Sequence, residues 1–256
     1  MKKLLLTLAA AAAFSTAAMA DPIKVGVAAE PYPPFTSPDA GGNWVGWEID
    51  FMHAICDQAK LDCVVTPTAW DGIIPALTAG QIDVIMSSMS ITDERKKTID
   101  FSDKYYNTPA RVVAAKGSGI KPTPEGLTGK ILGVQVSTTH EAYSQKYFAP
   151  VAAEIKTYQT QDEANQDLAA GRIDAIMADS IAMDAFLASD MGQACCESEG
   201  DVADDPSILG MGVGFGLRKG DPLLATLNDA IKAIRADGTY DKITAKYFSS
   251  SIYGAE

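Results

Sequence analysis

One ten-residue unit occurs twice. Leu77-Thr78-Ala79-Gly80-Gln81-Ile82-Asp83-Val84-Ile85-Met86 returns 91 residues later as Leu168-Ala169-Ala170-Gly171-Arg172-Ile173-Asp174-Ala175-Ile176-Met177. Each copy reads as a helix end stopped by a glycine, the residue that takes the left-handed conformation at least cost, followed by a short apolar strand of the kind buried in a parallel sheet. Two copies imply two similar α/β halves. Both are followed by polar residues where the strand should end: Ser87, Ser88 and Ser90 after the first, Asp179 and Ser180 after the second. In open α/β sheets, ligand groups lie beyond the carboxyl ends of the strands. These residues are therefore expected to face one another across a cleft that holds a small molecule.

The rest of the chain alternates strand and helix signals. Ile23 to Val27 alternates β-branched residues and breaks at Glu30-Pro31-Tyr32-Pro33-Pro34-Phe35, where three prolines fix φ and remove donors. Tyr32 is thus held on a rigid loop, either as packing or facing a ligand. Ile49, Met52, Ile55 and Cys56 recur at helical spacing, and Cys63 to Val65 supplies a following strand. Ile131 to Val134 is another strand, leading to a helical pattern from His140 to Phe148. With Thr138 or Thr139 as cap, the start of that helix offers free N–H groups to an anion. Between Ser87 and Arg95, three serines and an arginine fall within nine residues. The planar fork of Arg95 suits a carboxylate clamp; composition alone favours a solvated charge in the run Asp93 to Lys97.

Composition narrows the function classes. At 256 residues and 47% hydrophobic, with mean hydropathy near zero, the chain can bury a core. A net charge of −12 with no basic stripe argues against nucleic acid as partner. The first twenty residues carry Lys2 and Lys3, an apolar run from Leu4 to about Phe14, and the Ala18-Met19-Ala20 triplet. They read as a secretory signal cleaved after Ala20, too short in its apolar run to span a membrane; losing those two lysines moves the charge from −12 to −14. Export implies an oxidising compartment, so Cys56 and Cys63, seven apart, are expected to form a local disulfide. The adjacent Cys195 and Cys196 can close a ring, pair with other chains or stay free. No metal site is expected, because His53 and His140 are the two histidines and neither has a ligand partner at helical spacing. No recognisable nucleophile and base pair is present, and no cofactor is implied.

Tyr32-Pro33-Pro34-Phe35, Gly46-Trp47-Glu48-Ile49-Asp50-Phe51, Ser87-Ser88-Met89-Ser90-Ile91-Thr92-Asp93-Glu94-Arg95, and Asp237 to Ile243 ahead of Lys246-Tyr247-Phe248 together resemble the periplasmic binding proteins of polar amino-acid ABC transporters, the group that binds lysine, arginine, ornithine, histidine or glutamine. The likeness covers almost all of the chain after the leader, and the Cys56 to Cys63 spacing matches a disulfide of some members. It implies an α/β, two-lobed fold: each lobe a mixed, mostly parallel sheet flanked by helices, with two hinge crossings between lobes. Lobe 1 is expected over residues 21–109 and 203–256, and lobe 2 over 110–202, so that each lobe holds one copy of the repeat.

The resemblance also implies roles. Arg95 is expected to grip the ligand α-carboxylate, with backbone N–H groups near Ser90 and Thr139. Asp179 takes the α-ammonium with Ser88, next to Ser87, and Tyr32 and Trp70 flank the ligand side chain. Glu30 beside them suits a cationic side chain, which points to a basic or polar amino acid or a derivative, delivered to a membrane ABC permease by a periplasmic monomer. Two departures stand out: many relatives carry an acid where this chain has Ala29, and Gln135 replaces a residue that is often apolar. The alternative within the same scaffold is a cyclohexadienyl or arogenate dehydratase-like enzyme with Glu30 or Glu141 as its acid.

Overall fold

The computed structural model describes residues 21–254; the expected leader lies outside them. Strand β1 (Ile23–Ala28) runs into the proline-rich loop, and a small ribbon of β2 (Ser37–Pro38) and β3 (Trp44–Val45) follows. Tyr32, on that loop, forms a bridge back to Thr36. Helix α1 (Trp47–Ala59) buries Ile49, Met52, Ile55 and Cys56 as their spacing predicts, and adds Trp47 and Phe51. The Cys56–Cys63 disulfide joins its end to β4 (Cys63–Thr68). A 3-10 turn at Trp70–Gly72 leads to α2 (Ile73–Thr78), β5 (Val84–Ile85), the short α3 (Asp93–Lys96) and β6 (Asp100–Phe101).

The chain then builds a second sheet before coming back. β7 (Ala110–Ala115), β8 (Ile131–Gln135), α4 (Thr139–Tyr147), β9 (Glu154–Tyr158), α5 (Gln161–Ala169), β10 (Ala175–Asp179), α6 (Ser180–Ala188), α7 (Asp190–Cys195) and β11 (Cys196–Asp201) succeed one another. The return carries α8 (Pro206–Leu209), β12 (Gly216–Leu217), α9 (Leu223–Ala236) and α10 (Thr239–Tyr247). The Cys195–Cys196 pair closes as a vicinal disulfide at the α7–β11 junction, which decides among the three states open to it.

The sheets have orders β4-β1-β5-β12-β6 and β11-β7-β10-β8-β9, so both repeat strands, β5 and β10, are central. Each has one parallel neighbour, β1 or β8, and one antiparallel neighbour, β12 or β7. Parallel pairing holds where helices cross over, and antiparallel pairing where the chain arrives from the other sheet. The two copies are also equivalent in detail. Gly80 and Gly171 sit at φ 72° and 67°. The N–H of each bonds the second-last helical carbonyl, Leu77 or Leu168, and the next residue reaches back to Ala76 or Asp167, closing both helices in the same left-handed cap. The Asp83 and Asp174 carboxylates accept from the backbone N–H of Lys24 and Ile131, clipping the neighbouring parallel strand. Ile82 and Ile173 pack onto Gly26 and Gly133, where a Cβ would come within 2.3 and 2.6 Å of their Cδ1 atoms.

The first lobe's main core gathers Trp47, Phe51, Tyr105, Phe215, Ile231 and Tyr240 under α1, α9 and α10; the second lobe packs on both faces of its sheet. The two crossings lie side by side, with Val213 N–H donating to the Tyr106 carbonyl and Val202 N–H to that of Ala110.

Candidate functional site

Beyond β5 the chain enters a tightly bonded loop. Ser87 is buried, and its hydroxyl accepts the Ala28 N–H at 2.9 Å. Ser88 takes a left-handed conformation at φ 51°, unusual for a residue with a side chain. Its N–H and hydroxyl donate to the Glu48 carboxylate at 2.7 and 3.0 Å. Thr92 caps α3 by accepting the Arg95 N–H, which aims the Arg95 side chain into the cleft. There Nη1 donates to the Ser90 carbonyl at 3.0 Å, and Nη2 crosses to the Ser137 carbonyl at 3.1 Å. Among the described residues, no carboxylate lies within ion-pair distance of Arg95. Burial brings this guanidinium down to about 10, so it is still a cation at neutral pH. A cation drawn partly out of water, with neutral carbonyls and an indole face as its partners, is costly to keep, and an entering anion relieves that cost.

The other sheet offers the opposite charge. Asp179 ends β10 and caps α6: Oδ1 accepts the N–H groups of Ile181 and Ala182 at 2.8 and 3.4 Å, and Oδ2 accepts the Thr108 hydroxyl. Burial pushes its carboxyl up to about 6, against the pull of these donors. The Tyr32 hydroxyl is driven well above its ordinary range, first by burial and then by the charge of Asp179. Thr138, rather than Thr139, caps α4, accepting the Glu141 N–H at 3.1 Å. Thr139 is buried as the first residue of that helix, and His140 beside it is pushed down to about 4 by burial and by Arg95, hence neutral.

These groups meet at a cavity between the sheets. Glu30, Tyr32, Trp70, Ser87, Ser88, Ser90 and Arg95 line it from one lobe, and Gln135, Thr138, Thr139, His140 and Gln161 from the other. An adjoining space shares Tyr32, Ser88, Ser90, Thr139 and His140, and ends at Asp179 and Thr108. Arg95 and Asp179 therefore sit at opposite ends of one joined space. Glu30 uses its carboxylate to accept the Trp70 N–H at 3.1 Å. Trp70 donates its indole N–H to the Val136 carbonyl at 3.0 Å, a second bond across the cleft. Its ring also lies 5.5 Å from the Arg95 guanidinium carbon, so the indole borders the Arg95 end and not only the side-chain end expected of it.

Sequence reasoning missed four lining or supporting residues: Glu48, Thr108, His140 and Gln161. The signal for Glu48 was present, a carboxylate at helical spacing with the apolar face of α1. Thr108 and Gln161 carry no comparable signal. His53, in contrast, is exposed on α1. Glu141 spends its carboxylate on the Ser137 N–H at 2.7 Å, within the α4 cap, which removes it as a free acid.

Two sheet lobes that close on a cavity with a cation at one end and a carboxylate at the other define a binder of small charged solutes. The chain belongs to the bacterial extracellular solute-binding proteins, family 3, whose profile matches residues 23–250. It is 42% identical over 236 residues to the L-arginine-binding protein of Pseudomonas aeruginosa, spanning 91% of this chain and 90% of that protein. It is 42% identical over 260 residues to the histidine-binding periplasmic protein of Salmonella typhimurium, spanning 99% and 100%. Among solved structures, an ancestral arginine-binding protein bound to glutamine superposes with a TM-score of 0.80 at 37% identity, covering 91% of this chain and 100% of that one. The chain is accordingly a periplasmic binding protein and not an enzyme, and the dehydratase alternative is not favoured.

Proposed function

We propose that the protein captures a basic L-amino acid in the interlobe cavity and presents it to an ABC importer. The observation that carries this reading is the pairing of Arg95, whose guanidinium hydrogen-bonds carbonyls and has no carboxylate partner among the described residues, with Asp179 at the far end of the same space. A zwitterion leaving water needs fixed opposite charges at both of its ends. In this reading Arg95 takes the α-carboxylate, with N–H groups near Ser90 and Thr139, and Asp179 takes the α-ammonium with Ser88. Ser87 holds the loop through its bond to Ala28. Glu30, with Tyr32 and Trp70 as aromatic walls, receives the cationic side chain. The arginine- and histidine-binding relatives support a basic ligand.

Lobe 1 is assigned residues 21–109 and 203–256, and lobe 2 residues 110–202. Because the two charges come from different lobes, the ligand lowers the free energy of the closed form specifically, and the permease reads that closure. Export by a leader cleaved after Ala20 and action as a monomer, without nucleic acid as a partner, complete the proposal. The test is a thermal-shift panel of L-arginine, L-lysine, L-ornithine, L-histidine and L-glutamine, since a ligand of the native state alone raises stability by RT ln(1 + [L]/Kd). The basic amino acids are expected to shift Tm most. A shift with glutamine and none with the others would move the ligand to the polar neutral class; no shift with any would refute amino-acid binding.

A further inference from the structure

Glu48 is the charged side chain most withdrawn from solvent at this site, at 0% exposure, yet it faces no cation. It accepts three hydrogen bonds. The Ser88 N–H and the Tyr105 hydroxyl donate to Oε1 at 2.7 and 2.6 Å, and the Ser88 hydroxyl donates to Oε2 at 3.0 Å. Two of the three come from one residue, and that residue is the one held at φ 51° on the cavity wall.

A hydroxyl has one proton and two lone pairs. With its proton committed to a carboxylate, the Ser88 oxygen can present only an acceptor to the cavity. We infer that Glu48 is a positioning residue that sets the polarity of the ammonium end of the site: by taking the Ser88 proton and N–H, it makes Ser88 an obligate acceptor facing the cavity, beside Asp179. An ammonium finds acceptors there in Ser88 and Asp179, whereas a carboxylate would meet the lone pairs of both, so the ligand enters in one orientation, with its carboxylate toward Arg95. This rests on the amino-acid reading above.

Burial drives the Glu48 carboxyl up to about 7, while Tyr105 and Ser88 pull it down, so the acceptor form prevails above neutrality. Replacing the carboxylate by an amide reverses one bond. In Glu48→Gln, the carbonyl oxygen still accepts from Ser88 N–H and Tyr105, but the NH2 now stands where Oε2 stood and donates to the Ser88 oxygen. The serine proton must then turn toward the cavity, where it opposes an ammonium.

The experiment is calorimetry at pH 8 with L-arginine, L-histidine and 5-guanidinopentanoate, which is arginine without its α-ammonium, on wild type, E48Q, S88A and the double variant. Wild type should bind at least one of the two amino acids and bind the desamino compound more weakly. E48Q should lose about 10- to 100-fold for the amino acid, with less than about threefold change for 5-guanidinopentanoate if that compound binds. In the S88A background, E48Q should cost less than about threefold, because the hydroxyl it reorients is gone; this coupling also decides the matter if the desamino compound does not bind. An equal loss for both ligands, or additive losses in the double variant, would make Glu48 a purely structural group and overturn the inference while leaving the amino-acid reading intact. Should E48Q not fold, S88A alone must still lose amino-acid affinity more than desamino affinity, or the polarity assignment fails. Wild type that binds neither amino acid would sink the parent reading and the inference with it.

Discussion

The two copies of the repeat share one plan through Met86 and Met177 and differ in the residues that follow. In both, a glycine ends the helix, an isoleucine packs on a strand glycine and an aspartate clips the neighbouring strand. After β5 the chain turns through a left-handed Ser88 and offers hydroxyls and carbonyls before reaching Arg95. After β10 it goes straight into α6, so Asp179 is a helix cap whose carboxylate is already bonded by Thr108, Ile181 and Ala182. The shared unit places a polar edge, and the residues after it choose the charge. One lobe thereby holds a cation that lacks a charged partner, and the other a carboxylate that is held high by burial yet well bonded.

If that asymmetry is right, the largest effect belongs to Arg95. Arg95→Ala should keep the fold and reduce amino-acid affinity by about 2 to 5 kcal/mol, roughly 30- to several-thousand-fold. Near wild-type affinity by calorimetry in a folded R95A protein would end its role as carboxylate clamp. Asp179→Asn should cost less, about 1.5 to 3 kcal/mol, because asparagine still caps α6 and only the charge is lost. A drop in affinity accompanied by a large fall in ligand-free Tm would show instead that Asp179 is chiefly a cap.

Trp70→Leu comes next, at about 1 to 3 kcal/mol of binding with little change in ligand-free Tm, since the indole is half-buried at the cleft. It removes the bond to Val136 and the stacking surface beside Arg95 together. Ligand should also change the tryptophan fluorescence of the wild type, and the response should shrink in W70L. An unchanged signal would return Trp70 to the core that it borders.

The pH dependence is smaller and has a definite sign. Burial raises Asp179 to about 6 and Glu48 to about 7, above the ordinary carboxylate value of about 4. Between those limits the folded, ligand-free protein holds protons that the unfolded chain has released. The contribution of these two carboxyls to stability is therefore greatest at the acid end of this window and is lost as pH rises through about 6 to 7, partly offset by buried His140, held near 4, whose contribution rises with pH over the same window. An ammonium needs the ionised forms, so affinity runs the other way, falling at most about tenfold per pH unit between about 7 and 6 and at most about a hundredfold per unit below 6, where both carboxyls take up protons. The arginine-induced rise in Tm should accordingly be larger at pH 8 than at pH 5; equal rises would place the ammonium away from both carboxyls. The smallest effect is expected at Glu30, half-exposed and already shared with the Trp70 N–H. Glu30→Gln should weaken arginine by about 0.5 to 1 kcal/mol and leave glutamine unchanged, and equal losses would remove the basic-ligand preference.

Much of this molecule can be read from local pattern. The repeat, with its glycine stop and apolar strand, announces two sheets, because a helix cap and a strand are made by residues close in sequence. The apolar face of α1, the helix start near Thr138 and the Cys56–Cys63 clip are local in the same sense. Nothing local sets the bonds between residues far apart. Glu48 reads as a polar intrusion on an apolar helix face until the fold places Ser88 and Tyr105, 40 and 57 residues away, on its two oxygens. Thr108 meets Asp179 across 71 residues, Trp70 meets Val136 across 66 and Arg95 meets Ser137 across 42. Which side chains can serve the site was legible in their chemistry. Which of their lone pairs and protons remain for a ligand was decided only by tertiary structure, because a hydrogen bond spends a group's capacity on a partner that the chain brings near only when it folds.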